Sequence, residues 1–231
     1  MKSYVYSAHQ DSVLRKYYPI SPTQSTPKLN VTHTRIKVDL KGLRANQTIF
    51  FFAAMPSLYV VEREAAYGHL RNAGVVRVSS NGNCTVSLYC PGVYINPENN
   101  TTYSRHFHFV YWDSRLGTWE TKLYTHQVKC PVTSSHMRAA VNHRNIIIVD
   151  ALSSEYYITK HIKNAINIPH NGSMSTVNIH NKHTPVFVYC WDATCNAGEH
   201  LMSKLAKKGY HNVWHYPGGI QGWRGAVEHG I

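Results

Sequence analysis

Apolar and polar residues alternate along Thr34-Arg35-Ile36-Lys37-Val38-Asp39-Leu40, a period of two that predicts a strand with one buried face. Thr48-Ile49-Phe50-Phe51-Phe52-Ala53 is continuously apolar and predicts a central strand. Glu62 to Ala73 reads as a short helix ended by Gly74. Val75-Val76-Arg77-Val78, a turn at Asn81-Gly82, and Cys84 to Tyr89 predict a hairpin. His106 to Trp112, a turn over Asp113 to Gly117, and a strand from Trp119 to Val128 predict another.

The pattern changes after Pro131. Ser134 or Ser135 can cap a short helix running through Val141. The β-branched run Ile146-Ile147-Ile148-Val149-Asp150 suits a strand covered on both faces. A helix near Ser154 to His161, the segment Ala165 to Pro169, and a strand over Pro185 to Tyr189 follow. A helix from about Asn196 to Lys208 then ends at Gly209, and Val213 to Tyr216 is the next strand. Strands alternating with helices imply a parallel sheet.

Residues 1–30 are polar, rich in Tyr, and carry Pro19, Pro22 and Pro27, which excludes a helix there. The chain thus reads as an α+β two-domain protein. An extended arm over 1–30 precedes a β sandwich or barrel over 31–132, and an α/β domain with a parallel sheet covers 133–231. The arm is expected to order against a partner.

The formal charge is +12 and the isoelectric point about 9.5, with most of the excess in residues 1–132. That favours an acidic protein surface, a macromolecular assembly or nucleic acid as a partner. No Lys/Arg run exceeds two residues, so a diffusely solvated basic face explains the charge equally well. No apolar run approaches the roughly 18 residues of a membrane span. Met1 to Tyr6 lacks the apolar core of a signal peptide, so an intracellular, soluble (cytoplasmic or particle-borne) protein is expected. On that footing the five cysteines are expected to be free thiols, and the sequons at Asn30, Asn46, Asn83, Asn99, Asn100 and Asn171 to be unmodified. Cys84, Cys90, Cys130, His106 and His108 lack zinc-knuckle spacing; neither a metal nor a cofactor is expected.

The chemistry concentrates in Val188-Tyr189-Cys190-Trp191-Asp192-Ala193-Thr194-Cys195-Asn196-Ala197. A strand, a cysteine, a tight loop and a helix place the Cys190 thiol at a helix N-terminus. Unpaired N–H groups and the positive end of the dipole favour an anion there, which predicts a lowered thiol pKa and a reactive thiolate.

The second half resembles the rhodanese family. Val149-Asp150, Tyr157, His161-Ile162 and Ala165-Ile166-Asn167-Ile168-Pro169 resemble its opening pattern. Val188-Tyr189-Cys190 resembles the strand leading into its active cysteine, and Gly218-Gly219-Ile220 with Trp223 its closing motif. The resemblance implies that Cys190 takes a sulfane sulfur from a donor, holds it as a persulfide, and passes it to a thiol acceptor or cyanide. The donor would be of the thiosulfate or 3-mercaptopyruvate type. The N–H groups of Trp191, Asp192, Ala193, Thr194, Cys195 and Asn196 would cradle the persulfide. Asp150, His161, Gly218, Gly219 and Trp223 would be structural.

Departures from the family leave alternatives open. Active members usually carry a late basic residue in the loop; here Cys195 occupies that region and the loop holds Asp192, expected to repel anionic donors and raise the thiol pKa. Some rhodanese-like sequences share such a Cys-Trp…Cys-Asn loop. Cys195 is either a resolving thiol for Cys190 or a small residue in the first helical turn. A non-catalytic structural or assembly protein, even a minor component of a viral or other large particle, is the alternative. In it the rhodanese fold is a scaffold and the basic β domain docks. A dual-specificity phosphatase would need a longer loop and an arginine.

Overall fold

The computed structural model describes residues 6–7, 34–67 and 70–230. Apart from Tyr6 and Ser7, the arm expected over 1–30 lies outside them, as does Asn30. The chain divides into two compact units, Met1–Val128 and Lys129–Ile231.

In the first unit the strands are β1 (Tyr6–Ser7), β2 (Arg35–Leu40), β3 (Thr48–Ala53) and β4 (Val61–Glu62), followed by helix α1 (Arg63–Tyr67). Then come β5 (Ala73–Arg77), β6 (Cys84–Tyr89), β7 (Tyr94–Asn96), β8 (Thr101–Tyr103), β9 (His106–Asp113), β10 (Thr118–Trp119) and β11 (Lys122–Gln127). The main sheet runs β1-β11-β9-β3-β5, with β10 on β9; β2 pairs β6, and β4, β7 and β8 form a third sheet. β3 is central and buried on both faces. Phe50 and Phe52 pack with Val110, Trp119 and Leu123, while Ile49, Phe51 and Ala53 pack with Phe107, Phe109, Val86 and Leu88. Each such aromatic or aliphatic side chain contributes roughly 1.5–3 kcal/mol on burial.

Three sequence expectations shift. The hairpin predicted over Val75 to Tyr89 does not form as one ladder: the chain turns at Asn81-Gly82, but β5 pairs with β3 and β6 with β2, in separate sheets. The helix predicted over 62–73 is described over Arg63–Tyr67 and does not reach Ala73, because Ala73 and Gly74 are drawn into β5 opposite Phe52 and Phe51. The single strand predicted from Trp119 to Val128 is two: β10 folds back on Trp112 and Asp113, and β11 pairs further along β9.

A polar cluster lies inside this apolar unit. His106 and His108, both buried, project from one face of β9 with their Nε2 atoms 3.1 Å apart. Their outer nitrogens are held by the Ser104 carbonyl at 2.6 Å and the Thr125 hydroxyl at 2.8 Å. Tyr94 Oη sits 3.3 Å from His106 Nε2, and Tyr67 Oη donates to Tyr94 Oη at 3.1 Å. Burial pulls the pKa of both imidazoles down, and for His108 the neighbouring His106 adds to it.

The second unit contains α2 (Ser134–Ala140), β12 (Ile147–Asp150), α3 (Ser154–Thr159), β13 (His161–Ile162) and β14 (Ala165–Asn167). β15 (Val186–Tyr189), α4 (Ala197–Lys207), β16 (Val213–Tyr216), α5 (Gly219–Gly222) and β17 (Val227–Glu228) complete it. Thr133, not Ser134 or Ser135, caps α2: its side chain accepts the His136 N–H, and His136 reciprocates with the Thr133 N–H. The sheet runs β14-β12-β15-β16 with every pair parallel, and Pro131 bridges to His215 at the β16 edge. All four residues of β15 are buried, as a β-branched and aromatic strand covered on both faces requires.

One expectation about the cysteines is corrected. Cys90 and Cys130 are disulfide-bonded, and Cys84, Cys190 and Cys195 are free. Thiol pairing depends on which residues tertiary structure brings together, and spacing along the chain carries no record of it.

Among the described residues no helix is long and apolar enough to cross a membrane.

Candidate functional site

β15 ends at Tyr189 and delivers Cys190 to the C-terminal edge of the parallel sheet, where α4 begins after a six-residue loop. Tyr189 is fully buried and its hydroxyl accepts the Ile162 N–H at 2.9 Å. The adjacent Asp150 carboxylate, at the end of β12, accepts the Leu152 N–H at 2.8 Å. Burial raises the pKa of Asp150, opposed by the Leu152 N–H and the Tyr189 hydroxyl.

The loop is shaped by Asp192. Its carboxylate accepts the Thr194 N–H at 2.9 Å, the Thr194 hydroxyl at 2.7 Å and the Cys195 N–H at 3.1 Å. These bonds, the Thr194 hydroxyl foremost, hold its own pKa below the usual carboxylate value. Asp192 is thus a brace for the turn. The expectation that it raises the thiol pKa is replaced by two other causes. Cys190 is fully buried, and burial, followed by a hydrogen bond with the Cys195 side chain, pushes its thiol up to about 12. The N–H groups of Gly198 and Trp191 act on the sulfur in the opposite sense. The lowered pKa expected from the helix terminus is therefore overturned: the dipole is present, but desolvation of the thiolate outweighs it.

The closing motif supports the loop from below. Ile220 and Gln221 donate their N–H groups to the Cys190 and Trp191 carbonyls, each at 2.9 Å. Gly219 has a φ of +57°, and a Cβ there would collide with the Trp191 backbone. Only glycine meets both conditions without strain. Trp223 is buried against Tyr216 and donates its indole N–H to the Ala226 carbonyl at 3.0 Å. His161 stacks on Tyr157 at 3.8 Å, with Nδ1 2.8 Å from the Tyr157 carbonyl.

Three residues carried no sequence signal. Tyr189 was legible only as part of a strand. His215 lies beside Gly198: a Cβ on that glycine would stand 2.9 Å from His215 Nε2 and 3.7 Å from Cys190 Sγ. Burial lowers the pKa of His215 and Glu199 partly restores it. Tyr156 packs against exposed Trp191, with ring centroids 5.7 Å apart. Among the described residues no three His, Cys, Asp or Glu side chains converge as a metal centre would need.

Comparison with known proteins assigns the unit that carries this site. Residues 133–226 match the model of the rhodanese-like domain family, and no family model matches the N-terminal half. The solved structures it is similar to include the BH2092 protein of Bacillus halodurans, with 30% identity, a TM-score of 0.40, and coverage of 43% of this chain and 76% of that one. A rhodanese from E. coli aligns at 24% identity over 37% of this chain and 99% of that one, with a TM-score of 0.32. A thiosulfate sulfurtransferase from Pseudomonas aeruginosa aligns at 22% identity over 44% of this chain and 20% of that one, with a TM-score of 0.39. The C-terminal part of this chain, over residues 133–226, belongs to the rhodanese-like domain family.

Proposed function

We propose that the protein is a rhodanese-type sulfurtransferase or persulfide carrier acting through Cys190. The observation that carries this reading is the position of Cys190 at the end of β15, beside Gly198 at the head of α4 in a rhodanese-like domain, with the N–H groups of Trp191 and Gly198 acting to lower its thiol pKa. Those two donors lie where charge grows when sulfur is loaded. Cys190 Sγ attacks the outer sulfur of a thiosulfate- or mercaptopyruvate-class donor. The donor's bond to that sulfur breaks, and its electron pair leaves with sulfite or pyruvate enolate. The thiol proton passes to solvent. The persulfide then gives its outer sulfur to an acceptor thiol. Trp191, Asp192, Ala193, Thr194, Cys195 and Asn196 form the loop, and Asp150, His161, Gly218, Gly219 and Trp223 hold the fold around it.

A second reading has its own support. Cys190 is fully buried, its thiol is pushed up to about 12, and the loop has no Lys or Arg. In this reading the domain is a non-catalytic scaffold, and the basic β domain over 31–132 with its arm docks on an acidic partner or assembly.

Full-length protein incubated with thiosulfate or 3-mercaptopyruvate, then digested and weighed by mass spectrometry, separates the two. One added sulfur on Cys190, absent in Cys190→Ser, supports the carrier. A folded protein that takes up no sulfur from either donor sinks it and favours the scaffold.

A further inference from the structure

The loop holds two thiols. The Asp192 brace, with the Cys195 N–H also reaching the Asp192 carbonyl at 3.3 Å, curls residues 191–195 back on themselves. The curl returns residue 195 to residue 190: the Cys190 thiol donates to the Cys195 carbonyl oxygen at 3.1 Å, and the Cys195 side chain is near enough to raise the Cys190 thiol pKa. Cys190 is fully buried, whereas Cys195 is partly exposed. The second thiol is thus the outer neighbour of the first. Contact between two thiols is the geometric requirement for exchange between them.

We propose that Cys190 and Cys195 form a dithiol–disulfide couple, in which Cys195 resolves sulfur-loaded Cys190 and releases hydrosulfide. The proposal rests on the persulfide reading for its first step. Cys195 Sγ, as the thiolate, attacks Cys190 Sγ. The bond between Cys190 Sγ and the outer sulfur breaks, and the outer sulfur leaves as hydrosulfide with the bonding pair. The outer sulfur goes from −1 in the persulfide to −2 in hydrosulfide, the Cys195 sulfur goes from −2 to −1, and the Cys190 sulfur stays at −1, so one electron gained balances one lost. A thiol reductant, either a small dithiol or a thiol protein, then opens the Cys190–Cys195 disulfide and is itself oxidised to a disulfide. Each cycle converts one sulfane sulfur and two reductant thiols to hydrosulfide and one reductant disulfide. Cys195 takes the place of an external acceptor.

The full chain is tested in two arms, as wild type, Cys195→Ser and Cys190→Ser. In the first, protein freed of reductant is exposed to the thiol oxidant diamide, alkylated and mapped by peptide mass spectrometry. A cross-linked peptide joining residues 190 and 195, short by two hydrogens, is expected in the wild type alone. Its absence overturns the proposal whatever the sulfur donor. In the second, stoichiometric thiosulfate is added without reductant. The wild type is expected to release up to one hydrosulfide per chain and end cross-linked. Cys195→Ser is expected to keep the added sulfur on Cys190 and release none. Equal hydrosulfide from both, or stable persulfide on both, overturns the couple and leaves the persulfide reading intact. Sulfur uptake by neither protein overturns the persulfide reading and with it the resolving step, even where the cross-link forms.

Discussion

The hydroxyl of Tyr189 accepts the backbone N–H of Ile162 at 2.9 Å across 27 residues of sequence, and so fixes the residue immediately before Cys190. Both residues are fully buried. Tyr189→Phe leaves that N–H without its acceptor and removes the hydroxyl beside Asp150. A loss of about 1–3 kcal/mol is expected, read as a lower urea midpoint at unchanged slope.

Gly219→Ala tests the support under the loop. The positive φ and the collision with the Trp191 backbone act together. The variant is expected to lose about 1–3 kcal/mol by urea titration and to become more reactive at Cys190 toward a thiol alkylator, because residues 191–192 must move away from α5.

The Cys190 thiol pushed up to about 12 gives a pH signature. The thiolate is the reacting form, so alkylation of Cys190 by iodoacetamide is expected to be slow at neutral pH. It should rise roughly tenfold per pH unit through the alkaline range with no plateau near neutrality. A plateau by pH 7 would show that the helix terminus prevails over burial after all. Peptide-resolved alkylation across a pH series makes the distinction.

His106 and His108 supply a stability signature. Their folded pKa values lie below the unfolded value of 6.5. Above 6.5 both states are neutral at these positions, and the contribution to stability is constant. As pH falls through 6.5 the unfolded chain takes up protons that the folded one refuses, and stability falls by up to roughly 1.4 kcal/mol per pH unit for each imidazole. His126, His211 and His215, shifted the same way, add to the slope. His108→Gln is expected to flatten the curve between pH 6.5 and 5, measured by urea midpoint against pH.

What the sequence revealed and what it hid divide along physical lines. The strand, cysteine, loop and helix around Cys190 were legible because they are contiguous, and each segment's pattern is local. β3 was legible because six apolar residues in a row need cover on both faces. The sign of the Cys190 pKa was not: the helix terminus can be read from residue order, but burial depends on everything packed above the sulfur. The extent of α1 was misread because Ala73 and Gly74 suit a helix end and a strand equally, and pairing with Phe51 and Phe52 decides. Tyr189 with Ile162, and the disulfide-bonded state of Cys90 and Cys130, depend on tertiary contacts, for which no period exists.

Trp191 gives the loop an optical consequence. Of the five tryptophans it alone is exposed, at 41%, while Trp119 and Trp223 are buried and Trp112 and Trp214 are intermediate. Its emission therefore lies at the long-wavelength edge of the protein's spectrum, with Tyr156 close enough to feed it by energy transfer. The indole is bonded through the chain to the cysteine proposed to carry sulfur, and disulfides and persulfides quench indoles more strongly than thiols do. A change of state at Cys190, if the proposed chemistry takes place, is expected to read out as the intensity of one native fluorophore, in real time and without a label.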